Sequence, residues 1–410
     1  MTSDSTIQKI VPWIYRLLFI SFFLPMKWQT GMLIVFAVAV AMQFLFSRLN
    51  LHKNEFLVAL LLGSGYLLYL VWLPITPANS RTELFSLIER KFSLFILPLI
   101  FVLFSKLSSS SWKPHLSWFV GGALATALYG NAMILYEQVS IQSSFALNHV
   151  AYRVAFERLT QIHPTYFGMY VCFAIGILWI YGANFFKHRL WLSIVIQLLL
   201  LIALLLLMPK AAILALCLLF VYAMTFLFKI SRSKKIYLSL LLICGLCLFY
   251  IAIPVVNQRI DEVFFFAENN SRDVINNSMN MRRLIFQEDL SLLRKHWLLG
   301  LGPSHLQEQL NLFFYLSSFY AGQALGSYNT HNEYLNQWLS FGLIGGLLFI
   351  FVLCIHYSRA FTTKNTLYLF LLIILSITFF TENVLSRQHG VVFFSFFTSL
   401  FFFIPAISKK

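Results

Sequence analysis

A histidine lies at the point where a long polar stretch meets an apolar run. His331 is followed by Asn332 and Glu333, and a glycine-containing apolar segment begins a few residues later. A neutral imidazole accepts a proton near physiological pH, and burial at the edge of an apolar segment can tune its basicity. Gly342 and Gly345 would let neighbouring helices approach the one that carries His331. His331 is therefore a candidate general base. The alternative is a polar histidine at a helix start without a chemical role.

Four cationic side chains are candidates for binding an anion. Arg282 and Arg283 begin a segment with helical periodicity, where guanidinium groups and helix-terminal amides could together hold a phosphate or diphosphate. Successive helical positions diverge by about 100°, so only one of the two is expected to face a ligand. Lys210 stands between two apolar runs, and Arg16 lies inside the first run. Such charges are costly unless paired or snorkelled, so contact with water or lipid head groups is the alternative for all four.

Other polar residues lie in two connecting loops, and several well-known motifs are absent. The sequence has no nucleotide-binding glycine loop, no H-E-x-x-H zinc motif and no cluster of cysteine and histidine. ATP hydrolysis and zinc catalysis are therefore not expected, and we predict neither a metal nor a cofactor. The further loop candidates are Arg153, Arg158, His163, Glu382, Arg387 and His389.

The elements that must position these residues are membrane helices. Hydrophobic residues make up 59% of the 410 residues and charged residues only 11%, so lipid must be the solvent for most of the chain. A spanning helix needs about 20 mostly apolar residues. We therefore predict an all-α integral membrane protein with about twelve spans. The predicted spans are 8–25, 30–47, 56–75, 92–106, 116–136, 164–182, 189–208, 211–229, 236–256, 337–357, 366–381 and 391–408.

The net charge of +15 is interpreted as a topology signal, with membrane lipids as partners and no nucleic acid. Lysine and arginine collect in short loops on one side of the predicted spans, where the only acids are Asp4 and Glu55. Because such residues mark cytoplasmic loops, both termini are predicted to be cytoplasmic. The cations on that side are Arg48, Lys53, Lys106, Lys113, Lys187, Arg189, Lys229, Arg232, Lys234, Lys235, Arg359, Lys364, Lys409 and Lys410.

A polar insert interrupts the spans on the opposite side of the membrane. We predict nine spans in 1–256, a helical extracytoplasmic insert in 257–336 and three spans in 337–410. Within the insert, 281–297 has apolar residues at three-to-four-residue spacing and is predicted to form an amphipathic helix. Its predicted apolar face consists of Phe286, Leu290, Leu293 and Trp297. Glycines and a proline end this helix, and a second helix is predicted from His305 to Tyr320.

The chain resembles the O-antigen ligase superfamily, which includes O-antigen polymerases and bacterial O-oligosaccharyltransferases. The ligase signature is His, then Asn, Ser or Gln, nine residues, Gly, two residues, and Gly, Thr or Tyr. His331, Asn332, Gly342 and Gly345 fit every fixed position. The twelve-span layout with a large outer insert is also similar.

Weaker similarities cover much of the remaining chain. Arg282 followed by 299–303 is similar to the family's arginine helix and glycine turn, and 163–167 and 382–388 also resemble family segments. One position departs from the family pattern. Lys210 stands where the family often has arginine, so the charge is kept but the bidentate fork is lost.

The resemblance implies a glycosyltransferase with a periplasmic site in the bacterial inner membrane. The donor would be a glycan on undecaprenyl diphosphate, and the acceptor a hydroxyl group of lipid A-core. His331 would take the acceptor proton, and Arg282 or Arg283, with Lys210, would neutralise the diphosphate. Asn332, Gly342, Gly345 and His163 would support the site. Transfer would be a metal-independent single displacement with inversion, driven by energy stored in the donor.

Other functions remain open at this stage. An O-antigen polymerase or a protein O-oligosaccharyltransferase would share the architecture and differ mainly in its acceptor. A polysaccharide or lipid transporter, or flippase, also suits twelve spans, although transporters usually place their polar site near the bilayer midplane. A purely structural assembly protein is the third possibility.

Overall fold

A computed structural model describes residues 3–47, 49–107, 111–141, 149–187, 189–228, 230–237, 240, 244, 278–321 and 328–404. In these ranges every regular element is helical. Six helices are long and apolar enough to cross a membrane, or seven if one bent pair counts as a single span. Two further apolar helices of 14 and 16 residues follow near the end of the chain. The prediction of an all-α membrane protein is confirmed, and the figure of about twelve spans stays a prediction.

The chain divides into two compact units. The first comprises Met1–Met32 and Trp112–Phe266, and the second comprises Leu33–Ser111 and Ala267–Lys410. Short 3-10 turns at Ala78–Ser80, Lys113–His115 and Val384–Ser386 and a π-helical turn at Ala223–Leu227 connect or extend the helices. The α-helices are α1 (Ser3–Ser21), α2 (Met26–Phe46), α3 (Lys53–Leu62), α4 (Ser64–Trp72), α5 (Arg81–Leu107), α6 (Leu116–Ile141), α7 (His149–Thr160), α8 (Pro164–Phe185), α9 (Leu190–Leu207), α10 (Lys210–Tyr222), α11 (Ser278–His296), α12 (Pro303–Ala321), α13 (Glu333–Thr362), α14 (Thr366–Phe379) and α15 (Gln388–Phe403).

Two predicted spans differ from the helices that form. The third, 56–75, is broken at Gly63 into α3 and α4, which are bent by 61°. The fourth was predicted to begin at residue 92, but α5 begins at Arg81 and carries several charged residues in its first half. These charges lower the hydropathy of the first half of α5, so the predicted span leaves it out. In the structure one of the charged residues, Lys91, is buried inside the second unit.

Two further parts of the predicted layout are the segment 137–163 and the region around the predicted ninth span. The connection between the predicted fifth and sixth spans, 137–163, contains α7. The predicted ninth span, 236–256, and the polar entry to the insert, 257–277, lie outside the described residues apart from 236–237, 240 and 244.

The two predicted insert helices form as α11 and α12, but α11 buries a different face from the one predicted. Phe286 and Trp297 are about half exposed, and the buried line is instead Met281, Ile285, Asp289 and Leu292. The buried apolar members of this line pack against α12 and α13 in one core. Its members are Met281, Ile285, Leu292, Leu306, Leu310, Phe314 and Leu339.

One carboxyl group lies in this line of apolar side chains. Asp289 is fully buried, and neither of its carboxyl oxygens has a hydrogen-bond partner among the residues that the structure describes. Burial raises the pKa of Asp289 to about 8, and the nearby Glu288 charge adds to the rise. The insert therefore buries a carboxyl that is protonated at neutral pH.

Candidate active site

The His331 turn leads directly into α13. The backbone of His331 has a φ of 46°, in the left-handed region that costs a non-glycine residue about 1 kcal/mol. The amide of His331 donates to Asn329 Oδ1 at 3.0 Å. Asn332 Oδ1 accepts from the amide of Leu335 at 3.0 Å and so caps α13. Asn332 thus fixes the start of the helix, and the turn before it directs the imidazole.

A carboxylate from a distant loop meets this imidazole. Glu382 lies between α14 and α15, and its Oε2 is 3.2 Å from His331 Nδ1. Its other oxygen, Oε1, accepts from Arg282 Nη2 at 2.7 Å. All three side chains are between one fifth and one third exposed, so a substrate can reach them. Three elements, α11, the His331 turn and the Glu382 loop, thus meet at one ionic cluster.

Two further bonds join the His331 turn to the loop of Glu382. Thr330 Oγ1 donates to Asn383 Oδ1 at 2.8 Å. The amide of Leu385 donates to Glu333 Oε2 at 2.8 Å. Both Thr330 and Glu333 are buried. The two bonds therefore flank His331 in its turn, and both hold the loop just after Glu382.

Gly342 breaks α13 at a point where another turn docks against it. Its φ is 66° and its ψ is −157°, outside the helical region. The amides of Leu301 and Gly302 donate to the carbonyls of Leu339 and Ser340 at 2.7 and 3.0 Å, and the Leu343 amide donates to Leu298 at 3.1 Å. The turn that ends α11 is thereby bonded to α13 through its main chain.

The docked turn explains the glycines of the signature. A Cβ at Gly342 would lie 2.2 Å from the Leu298 carbonyl oxygen, and one at Gly300 would lie 2.5 Å from the Gly342 nitrogen. We predicted that Gly342 permits close packing of helices. The structure gives it a sharper role, because Gly342 allows a helix break whose main-chain groups bind the turn after α11.

The structure separates the two candidate arginines of α11. Arg282 faces the Glu382 loop, whereas Arg283 is exposed. This is the outcome expected for adjacent helical positions. Lys210 and His163 belong to the first unit. Lys210 is the first residue of α10, and His163 caps α8 by accepting from the Thr165 amide at 3.3 Å.

Some residues of the site escaped the sequence reasoning. Glu382 was singled out only as a loop residue, because its separation of 51 residues from His331 gives no sign of contact. Glu333 and Thr330 adjoin His331 and were not chosen, since a charge at a helix start is usually solvated. Their burial depends on how α13 packs, which a single sequence does not reveal.

The chemistry available to this cluster is proton transfer beside a positive charge. When His331 Nδ1–H donates to Glu382, the other ring nitrogen, Nε2, has a free lone pair and can accept a proton. Arg282 uses one of its five N–H groups on Glu382 and can offer others to an anion. Among the described residues, no group of three or more His, Cys, Asp or Glu could hold a metal ion.

Comparison with known protein families agrees with this geometry. The family model described as O-Antigen ligase matches residues 195–350. That range contains Lys210, Arg282, His331 and Gly342, and it ends inside α13. No curated protein matches the chain. Residues 195–350 of this multi-pass membrane protein are therefore similar to the O-antigen ligase family.

Proposed function

We propose that this protein transfers a glycan from undecaprenyl diphosphate to an acceptor hydroxyl at the periplasmic face of the bacterial inner membrane. The preferred acceptor is lipid A-core, which makes the protein an O-antigen ligase. The observation that carries the proposal is the Arg282–Glu382–His331 cluster, with contacts of 2.7 and 3.2 Å. It combines a base with a cation on residues next to the ligase signature.

His331 acts as the general base in this proposal. Glu382 holds the Nδ1–H tautomer, so Nε2 accepts the proton of the acceptor hydroxyl. The acceptor oxygen attacks the anomeric carbon as its proton leaves. The bond from that carbon to the diphosphate oxygen breaks, and the electron pair departs with the diphosphate. A single displacement of this kind inverts the anomeric centre.

Arg282 is proposed to stabilise the leaving diphosphate in addition to binding Glu382. The diphosphate gains negative charge as the bond breaks, and a guanidinium group in a partly desolvated site stabilises that charge. Arg283 and Lys210 are proposed to add positive charge along the path of the diphosphate. His163, Asn332 and Gly345 support the fold around the site and take no proton.

Transfer by the purified protein tests the proposal. The full chain is mixed with an undecaprenyl-diphosphate glycan and lipid A-core in the presence of EDTA, and the product is resolved by gel or mass spectrometry. We expect wild-type activity with EDTA. His331→Ala should lower the transfer rate by about 100-fold to 10,000-fold, the usual range for a general base. Loss of wild-type activity with EDTA, or full activity of His331→Ala, would contradict the mechanism.

Arginine variants separate the ionic cluster from general positive charge. Arg282→Ala should reduce transfer more than Arg283→Ala, because only Arg282 contacts Glu382. Arg294→Ala is the matched control, since Arg294 is an exposed arginine in the last turn of the same helix. Equal losses at Arg282 and Arg294 would show that α11 contributes only net charge.

The choice of acceptor distinguishes the related activities. Product on lipid A-core supports a ligase, whereas elongation of the carrier-linked glycan itself supports a polymerase. Product on a protein hydroxyl supports an O-oligosaccharyltransferase. Movement of labelled glycan across vesicles without a new covalent bond would support a transporter and overturn the proposal.

A further inference from the structure

Beneath the cluster at His331 lies a second set of charged groups, and these are fully buried. Lys91 of α5 is 2% exposed and Glu333 of α13 is 0% exposed. A buried charge within a membrane protein is costly unless it is paired. The two residues have opposite charges and belong to the same unit.

Two neutral side chains connect these charges. Lys91 Nζ lies 4.8 Å from the centre of the Tyr69 ring. The Tyr69 hydroxyl interacts with the side chains of both Lys91 and Gln337. Gln337 Nε2 in turn donates to Glu333 Oε1 at 2.7 Å. A line of neighbouring polar side chains therefore runs from Lys91 past Tyr69 and Gln337 to Glu333.

The network ends at the loop that carries Glu382. Glu333 Oε2 accepts from the Leu385 amide at 2.8 Å, so both carboxylate oxygens face donors. Each oxygen of Glu333 therefore acts as a hydrogen-bond acceptor. The loop is also tied at Asn383 by Thr330. The residues that form these ties, Thr330 and Glu333, flank His331, and the tied residues Asn383 and Leu385 closely follow Glu382.

We propose that Glu333, with its charge balanced by Lys91, is a positioning residue that holds the Glu382 loop against His331. In this position Glu382 fixes the proton on Nδ1 of His331 and leaves Nε2 free. This inference rests on the proposed function, in which His331 is the general base. Glu333 itself touches no substrate.

Two variants separate positioning from charge balance. Glu333→Leu removes the tie to Leu385 and leaves Lys91 without a counter-charge, so it should unfold readily. The double variant Lys91→Met with Glu333→Leu removes both buried charges and should regain stability. If Glu333 positions the loop, the double variant folds but its transfer rate stays about tenfold to 100-fold below wild type.

The tautomer of His331 gives a readout that does not depend on activity. Nitrogen-15 spectra of histidine-labelled protein distinguish Nδ1–H from Nε2–H, and His331→Ala assigns the signal. We expect the Nδ1–H form in wild type and a mixture of tautomers in the double variant. Wild-type spectra and activity in the double variant would overturn the inference, because Glu333 would then serve charge balance alone.

The second tie supplies an independent test in case the Glu333 variants do not fold. Thr330→Val removes the hydroxyl bonded to Asn383, and Thr330→Ser keeps it. The valine variant should lose the single tautomer and the serine variant should retain it. Unchanged spectra in Thr330→Val would contradict the two-tie arrangement.

A matched control removes a buried hydrogen bond elsewhere on α13. His356 Nδ1 and the Tyr368 hydroxyl are 2.5 Å apart in the core. Tyr368→Phe should lower the melting temperature and leave the His331 tautomer unchanged. If wild type shows no glycan transfer, the proposed function is refuted. If the double variant nevertheless loses the single His331 tautomer, the positioning role of Glu333 is supported independently.

Discussion

Two of the helix breaks in the described part of the chain satisfy their freed main-chain groups in different ways. At Gly342 in the second unit, a neighbouring turn forms main-chain hydrogen bonds with α13 on both sides of the break. At the end of α9 in the first unit, Met208 adopts a φ of 44° and Arg153 Nη1 donates to the Leu207 carbonyl at 2.6 Å. Unpaired backbone groups are expensive in a membrane, so both breaks need partners.

The two breaks differ in whether backbone groups or a side chain supply the hydrogen-bond partners. The Gly342 break uses backbone partners and requires glycine for its conformation, so most side chains around it can vary. The break after α9 uses one guanidinium group and should fail when that side chain is shortened. Variants at the two breaks should therefore separate backbone from side-chain control.

The largest effect is expected from Gly342→Ala. The new Cβ would meet the Leu298 carbonyl oxygen at 2.2 Å, and alanine would also be strained at a φ of 66°. Backbone atoms cannot move aside cheaply, so the free energy of unfolding should fall by more than about 4 kcal/mol. Thermal unfolding of purified protein in detergent, followed by circular dichroism, measures the loss.

Gly65→Ala is the matched control for that change. Gly65 lies in α4, and a Cβ there meets nothing within 4 Å. Its stability should be unchanged or slightly higher, since alanine favours helix. A Gly342→Ala protein that melts with wild type would show that the docked turn does not depend on the glycine conformation.

The next largest effect is a pH dependence of stability caused by Asp289 in α11, the helix that leads into the docked turn. Burial raises the pKa of Asp289 to about 8 from its ordinary value of 3.8. The folded state therefore binds a proton more tightly than the unfolded state, so stability falls as pH rises from about 4 to 8. Asp289→Asn should remove this dependence, which amounts to at most about 1.4 kcal/mol for each pH unit.

Melting temperatures at pH 5, 7 and 9 check the sign of this effect. Wild type should lose stability over the range, and Asp289→Asn should lose less. Glu288→Gln removes the adjacent, partly buried carboxylate that adds to the rise, so it should weaken the pH dependence less than Asp289→Asn does. An arginine stays charged over this pH range, so the helix break after α9, which Arg153 bonds, should not add to the change of stability with pH. An identical slope in wild type and Asp289→Asn would refute the buried position of this carboxyl.

The smallest effect is expected from Arg153→Met. The change removes the donor to the Leu207 carbonyl and should lower stability by about 1–3 kcal/mol, the cost of a buried unsatisfied group. Arg153→Lys should restore part of the loss. Arg158→Met on the same helix is the control, since Arg158 is 58% exposed and its pair with Glu137 is worth about 0–1 kcal/mol. Equal losses at both arginines would erase the contrast between the breaks.

The sequence predicted the parts of the molecule that depend on composition and local periodicity. The membrane class, both insert helices and the candidates His331 and Arg282 could be obtained from these patterns. The partners of those residues could not, because Glu382 and Lys91 reach the site through tertiary packing. The burial of Asp289 in α11 could not be predicted either, because a carboxyl group in a helical pattern is usually exposed.

The position of Gly342 gives a structural reason for the fixed spacing of the ligase signature. The nine residues 333–341 form a rod of helix, with one end fixed at the docked turn and the other at the histidine. Each residue adds about 1.5 Å and 100°. Substitutions along the rod keep its length and phase, whereas one inserted residue would turn His331 away from Glu382. The fixed spacing of the motif thus sets the distance and the angle between His331 and the docked turn at Gly342.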